Sequence, residues 1–353
     1  MNIRNIAIIA HVDHGKTTLV DQLLKQSETY DLHQNLNERA MDSNDIERER
    51  GITILAKNTA IIYQNTRINI LDTPGHADFG GEVERIMYMV DGVLLLVDAY
   101  EGVMPQTRFV LKKALEAHLM PIVVINKIDR KFADVQRTVN EVYDLFIDLG
   151  ADDHQLNFPV VYASGLQGLA NYVPILDPAL RMDPILDTIL KEIPQPKTDH
   201  EKPLQFQPAL IDYNDYVGRM GIGKIYQGTL RVGDTVSCIR VDQSIVQFRI
   251  QKILQSLGIE KNEVDEAYAG DIVSVAGLPD IHVGETITSV GDEVALPLLH
   301  IDEPTVQMTF LTNTSPFAGK EGRFVTASKL DDRLFKETQK DVSLRVERIQ
   351  TSE

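Results

Sequence analysis

Cysteine is nearly missing from this chain: Cys238 is the only one among 353 residues. A single thiol permits no internal disulfide and rules out a four-thiolate zinc site. It fits a reducing compartment, expected here to be the cytoplasm. Tryptophan is absent and aromatic residues make up only 6% of the chain, beside an apolar fraction of 43%, the composition of a soluble globular protein. No apolar run approaches the roughly 20 residues of a membrane-spanning helix, so no membrane partner is expected. The amino terminus enters an apolar strand directly, with no charged-apolar-small leader ahead of it. Positive charge is also short: 35 Lys and Arg stand against 52 Asp and Glu, giving a net charge of −17. That excess argues against coating nucleic acid through bulk electrostatics and leaves RNA contact to local basic patches.

The length exceeds one typical core, so two or three domains are expected. Over residues 1–196, apolar strand-like runs (3–9, 67–71, 93–97, 122–125, 159–162) alternate with helical patterns such as 107–117 and 135–149. Four of the runs are almost continuously apolar, as strands buried on both faces must be. The alternation predicts an α/β domain with a doubly wound, mostly parallel sheet whose ligands sit at the carboxyl ends of the strands. Residues 194–203, rich in Pro and charge, read as a linker. Short β-rich runs then follow (207–212, 222–227, 235–240, 245–254, 272–276), parted by Gly-Asp turns at 233–234 and 270–271. This second segment, 197–302, is expected to be an antiparallel β-barrel, with Gly218, Gly221, Gly223 and Gly228 serving turns and close packing. Residues 303–353 read as a strand over 305–311, a helix over 326–340 and a strand over 342–346, an incomplete α+β (ferredoxin-like) domain.

Chemistry-bearing residues follow the strands of the first segment. After the first comes Ala10-His11-Val12-Asp13-His14-Gly15-Lys16-Thr17-Thr18, which leads into a helix. The first N–H groups of a helix lack intrahelical acceptors and sit at its positive end, so they receive phosphate oxygens. Gly15 lets the backbone approach, Lys16 can reach the β- and γ-phosphates, and Thr17 can place its hydroxyl on Mg²⁺. Ala10 departs from the usual Gly that opens such a loop. Asp72-Thr73-Pro74-Gly75-His76 follows the next strand: Asp72 can hold Mg²⁺, the Gly75 N–H can bond the γ-phosphate, and His76 can orient the attacking water. Thr53 lies in a charge-rich segment and would reach Mg²⁺ only when a γ-phosphate is present. The sharpest signal is Asn126-Lys127-Ile128-Asp129. The Asp129 carboxylate can accept from N1–H and the exocyclic amine of guanine, a donor pair that adenine lacks. Lys127 would lie along the base face, and Asn126 would tie the base loop to the phosphate loop. Ser164, Gly165 and Leu166, after the following strand, offer backbone to guanine O6. Five such segments in this order, four of them directly after a strand, identify a GTP-binding domain.

The combination resembles the translational GTPase superfamily, in which Ala at position 10 is normal. Residues 47–58, Glu-Arg-Glu-Arg-Gly-Ile-Thr-Ile-Leu-Ala-Lys-Asn, and 312–322, Thr-Asn-Thr-Ser-Pro-Phe-Ala-Gly-Lys-Glu-Gly, are most similar to the BipA/TypA GTPases. The stretch between Asp129 and Ser164 is too short for the insertion of elongation factor G, and the third segment does not read as the second barrel of elongation factor Tu. The resemblance implies GTP and GDP as ligands with Mg²⁺ on Thr17, Thr53 and Asp72. His76 would be the catalytic histidine, aided by Lys16 and Thr53, with Val12 and Ile52 forming an apolar gate beside it. Asp13 would help bind phosphate or a monovalent cation, and His14, Thr18, Gly75, Lys127, Gly165 and Leu166 join the nucleotide contacts. It further implies a further α+β domain and a family-specific carboxyl-terminal domain, so the chain is expected to be the amino-terminal part of such a protein, and monomeric. The expected partner is the ribosome, through ribosomal RNA, ribosomal proteins and tRNA, in large-subunit assembly and stress adaptation. Two alternatives stay open: a LepA-like or elongation-factor-G-like translation factor, and a binding module that senses GTP or guanosine tetraphosphate with little turnover.

Overall fold

A computed structural model describes residues 2–27, 29, 57–73, 80–299, 306–312, 326–342 and 344–348. The first domain is built on a seven-stranded sheet. Its strands are β1 (Asn2–Ala10), β2 (Lys57–Tyr63), β3 (Thr66–Asp72), β4 (Gly92–Asp98), β5 (Met120–Asn126), β6 (Val160–Ser164) and β7 (Leu169–Asn171). Spatial order is β2-β3-β1-β4-β5-β6-β7, parallel from β3 to β6 with an antiparallel strand at each edge. Alternate residues of each central strand go to opposite faces. Ile6, Ile8, Leu94, Leu96, Ile122 and Val124 pack under helices α1 (Lys16–Gln26) and α6 (Asp183–Glu192). Ala7, Ile9, Val93, Leu95, Val97, Val123 and Ile125 pack under α2 (Gly80–Met87), α3 (Pro105–Glu116) and α4 (Val135–Asp148), with a short α5 at Asp153–Leu156. Two covered faces explain why these strands read as continuous apolar runs, and the doubly wound arrangement is the expected one.

The second domain is antiparallel throughout. Eight strands run in the order β12-β11-β17-β8-β9-β16-β13-β14: β8 (Gln205–Asn214), β9 (Gly218–Gln227), β11 (Thr235–Ile239), β12 (Ile245–Arg249), β13 (Lys252–Leu257), β14 (Glu260–Val264), β16 (Ile272–Ala276) and β17 (Thr286–Ser289). A separate pair joins β10 (Thr229–Arg231) to β15 (Glu266–Tyr268). The sheet curls on itself, because Val236 and Phe248 near one end share a core with Ile253 and Val273 near the other. The run over 245–254, read as one strand, is two. Ile250 and Gln251 break it, their N–H groups donating to Asp234 O at 3.0 Å and Ala276 O at 2.9 Å, and so carry the chain from one end of the strand order towards the other. Gly223 faces β8 so closely that a Cβ would lie 1.9 Å from Gln207 O, which fixes its identity by packing. Cys238 is buried in β11, and burial with the neighbouring Glu285 pushes its thiol up to about 12, the profile of an inert strand residue.

The Pro-rich stretch 194–203 is less free than a linker. Gly228 N donates to Asp199 O at 2.7 Å, and Pro196 and Thr198 lie against Gly270. Beyond residue 300 the predicted helix is present as α7 (Ala327–Thr338), capped by Thr326. Residues 306–312 and 344–348, which overlap the two strands expected beside it, carry no ladder among the described residues. Among the described residues no helix is long and apolar enough to cross a membrane.

The two domains meet through a buried polar network at the amino-terminal ends of β1 and β3. Arg67 Nε donates to Asn69 Oδ1 at 3.1 Å and faces Asp271 Oδ1 at 3.4 Å, and its Nη2 reaches Ser256 O. Asn69 Nδ2 bonds Asn5 Oδ1 (2.8 Å) and Asp271 Oδ1 (3.0 Å). Asn5 Nδ2 bonds Gly270 O and Asp91, and Asp91 in turn pairs with Lys224 at 2.8 Å. Beside the network, Ala209, Leu210, Ile222 and Ile272 of the second domain join the core of the first.

Candidate functional site

The carboxyl ends of β1, β3, β4, β5 and β6 converge because their register is nearly level: Ile8 pairs with Asp72, Ala10 with Leu96, and Asp98 with Asn126. The loop after β1 turns at Asp13 (φ 66°) and Gly15 (φ 94°) into α1, whose first N–H groups have no side-chain cap. Those donors point at the space before the helix. Lys16, buried, lies 2.8 Å from Asp72 Oδ1 and also reaches Thr73 O. Thr73 is itself anchored, its hydroxyl donating to Ile8 O at 2.8 Å. The group that would serve phosphate and the one that would serve metal thus share one point, with Thr17 half-buried beside them and Thr18 exposed. A hydroxyl and a carboxylate suit Mg²⁺, which keeps several waters and takes few protein ligands.

The base side is tied to the phosphate side. Asn126 Nδ2 donates to His14 O at 2.8 Å while its Oδ1 accepts from Gly165 N at 2.9 Å, so one amide joins three loops. Lys127, in a left-handed conformation (φ 60°), donates to Asp13 O. Asp129 is exposed, and its carboxylate accepts from Gln167 Nε2 at 3.5 Å. Ser164 is buried, its hydroxyl accepting from Gln167 N at 3.2 Å, whereas Leu166 is 81% exposed at the rim. Val12 is half-buried in the same loop. His14 is wholly buried, and burial pushes its imidazole below the ordinary value; its Nδ1 faces Leu96 O and Asp98 N. It is a neutral wedge under the loop rather than a group turned outward. Thr53, Gly75 and His76, and Ile52 with them, lie outside the described residues.

Gly15 is the tightest point of the cradle. A Cβ there would stand 2.6 Å from Asn126 Nδ2. Gly15→Ala should therefore both strain a left-handed residue and displace the amide that joins the loops. At about 1–3 kcal/mol for such strain, GDP affinity should fall about 10- to 100-fold in a fluorescent-nucleotide titration; unchanged affinity would remove Gly15 from the cradle.

Sequence reasoning missed Asp98, a fully buried carboxylate 2.8 Å from Lys127 Nζ. The available signal was its place: like Asp72, it ends a buried apolar strand where ligand-facing groups gather.

Comparisons with known proteins bear on this arrangement. Residues 1–195 match the family described as elongation factor Tu GTP binding domain, and residues 218–288 match elongation factor Tu domain 2. The chain is 61% identical over 349 residues to the large ribosomal subunit assembly factor BipA of Bacillus subtilis (strain 168), a match covering 98% of this chain and 56% of that protein. It is 55% identical over 345 residues to the protein of that name from Synechocystis, covering 98% and 58%, and 54% identical over 346 residues to that from Salmonella typhimurium, covering 98% and 57%. It therefore spans little more than half the length of these relatives. Among solved structures, translation elongation factor SelB from Methanococcus maripaludis, in complex with the GTP analogue GppNHp, superposes with a TM-score of 0.60 at 24% identity over 82% of this chain and 56% of that one. A bacterial selenocysteine-specific elongation factor gives 0.61 at 24%, over 82% and 45%. At that identity the likeness is one of fold.

Proposed function

Because this chain belongs to the GTPase family built on the elongation factor Tu GTP binding domain, we propose that it binds GTP with Mg²⁺, hydrolyses it to GDP and phosphate, and does so on the ribosome in assembly of the large subunit. The observation that carries the nucleotide part is the joining of three loops by Asn126, with Lys16 and Asp72 facing each other across the phosphate side. The ribosomal part rests on 54–61% identity across nearly all of this chain to proteins named large ribosomal subunit assembly factor.

In this reading the N–H groups at the start of α1 and the Lys16 ammonium receive the β- and γ-phosphates. Thr17, Thr53 and Asp72 would hold Mg²⁺, whose charge offsets that on the phosphate oxygens. Gly75 donates to the γ-phosphate, and His76 places the attacking water. Val12 and Ile52 flank the histidine. Asp129 selects guanine, and Gly165 with its neighbours meets O6. Without its activator the protein should turn over slowly, at roughly 10⁻⁴ to 10⁻² s⁻¹. Contacts with ribosomal RNA and tRNA, and a cytoplasmic setting, belong to the same proposal.

The test is single-turnover GTP hydrolysis with and without ribosomes, for the protein and for His76→Ala. Stimulation by ribosomes, lost about 100-fold in His76→Ala while GDP affinity is kept, is the expected result. Tight binding with no turnover under either condition would instead favour a guanine-nucleotide sensor, with guanosine tetraphosphate as a competing ligand. Stimulated hydrolysis that survives His76→Ala would remove His76 from the chemistry.

A further inference from the structure

We infer that Asp98 is a positioning residue for base recognition: its buried carboxylate holds the Lys127 ammonium against the phosphate loop, so that the lysine stem is already laid where the base will rest. The inference depends on the reading of Asn126, Lys127 and Asp129 as the base-binding segment. The register of β4 and β5 sets Asp98 opposite Asn126, one residue before the lysine. Asp98 is fully buried, and its two oxygens do different things. Oδ1 accepts from the backbone N–H groups of Tyr100 (2.7 Å) and Glu101 (3.3 Å) and so shapes its own turn. Oδ2 faces two cations, Lys127 Nζ at 2.8 Å and Arg130 Nη1 at 3.3 Å. Burial pushes this carboxyl up, but the lysine and the two backbone donors outweigh it and leave it below the ordinary carboxylate value.

Lys127 is half-exposed, and a free lysine stem would keep most of its rotamers until a nucleotide arrived. Held between Asp98 Oδ2 and Asp13 O, it has lost that freedom beforehand, which favours binding. Arg130 fastens the other side of the anchor: its guanidinium lies 4.5 Å over the Tyr100 ring and 3.4 Å from Glu101. Glu101 in turn stands 3.6 Å from His14 Nε2, under the phosphate loop. The turn after β4 therefore braces both nucleotide loops at once.

A purely structural Asp98 would need only Oδ1, and asparagine satisfies the turn equally well. Asp98→Asn keeps that oxygen and puts an uncharged amide NH₂, which cannot accept from Lys127, in place of Oδ2, and so separates the two roles. The experiment measures affinity and release rate of N-methylanthraniloyl-GDP for the protein, Asp98→Asn, Lys127→Met and the double variant. Each single variant should bind about tenfold more weakly, the scale of one charge-assisted hydrogen bond, and the double variant no more weakly than Lys127→Met alone. Additive losses, or wild-type affinity in Asp98→Asn, would overturn the inference. If Asp98→Asn does not fold, Asp98→Glu, which keeps a carboxylate but moves it by one methylene, takes its place in the same cycle with Lys127→Met: a loss that does not add to that of Lys127→Met supports the role, and additive loss or unchanged affinity overturns it. Asp129→Asn, measured alongside, keeps the two readings apart. If it leaves GDP binding untouched, the base-reading segment itself is misassigned. If it turns preference to xanthosine diphosphate while Asp98→Asn and Lys127→Met bind GDP normally, only the role of Asp98 falls.

Discussion

Replacing Asp129 by Asn should cost GDP and GTP about 100- to 10,000-fold in affinity and give xanthine nucleotides the advantage. The Asp129 carboxylate sits exposed at the end of a loop anchored on both sides, by Asn126 to the phosphate loop and by Lys127 to Asp13 and Asp98. Anchoring matters because an acceptor held in place has already lost the freedom that binding would otherwise take from it. Guanine would present two donors to this carboxylate, and each bond to a charged acceptor contributes about 1.5–3 kcal/mol. Losing the pair gives the stated range. The amide of Asn offers a donor to the second carbonyl of xanthine, so preference inverts rather than vanishes. Calorimetric titration with GDP and xanthosine diphosphate checks this, and equal GDP affinity in both proteins would sink the assignment.

The second large effect lies away from the site. Arg67→Met should lower stability by about 3–5 kcal/mol, because it strands the buried Asp271 without its cation. Arg67 is only 2% exposed and bonds across the domain junction to Ser256 and Asp271, so its loss also loosens the junction. Arg231, which pairs with Glu266 in solvent, is the control: Arg231→Met should change stability by less than about 1 kcal/mol. Denaturant unfolding followed by probes in each domain tests both. The Arg67→Met curves should shift and separate by domain, whereas a shift no larger than that of Arg231→Met would show that the network contributes little.

The legible parts of this chain were those with a strong period or a fixed chemistry. Both faces of β1, β4 and β5 are covered, so continuous apolar runs announced them. The loops at Gly15–Thr17 and Asn126–Asp129 stood out by residue types and spacings that phosphate and guanine would demand, and the structure joins them through Asn126 and Lys127. Strand β2 did not. It is an edge strand that begins with Lys57-Asn58-Thr59 and turns into β3 through Gln64 and Asn65, both at positive φ, without the Asn-Gly or Asp-Gly pair that marks such a turn. The junction network was equally silent: Asn5, Arg67 and Asn69 look like ordinary polar breaks in apolar strands until Asp271 is brought beside them, some 200 residues later in the chain. Asp98 was hidden for a related reason, since the partner that gives it meaning, Lys127, belongs to the next strand's loop.

Equilibrium titration of the unaltered protein with GDP and with ADP, each with Mg²⁺, asks of the molecule itself that these loops form one guanine-nucleotide site. One molecule of GDP should bind per chain, with ADP at least about 100-fold weaker, the scale set by losing a paired bond to Asp129. Equal affinity for the two, or binding of neither, would mean that the loops do not make a guanine-nucleotide site.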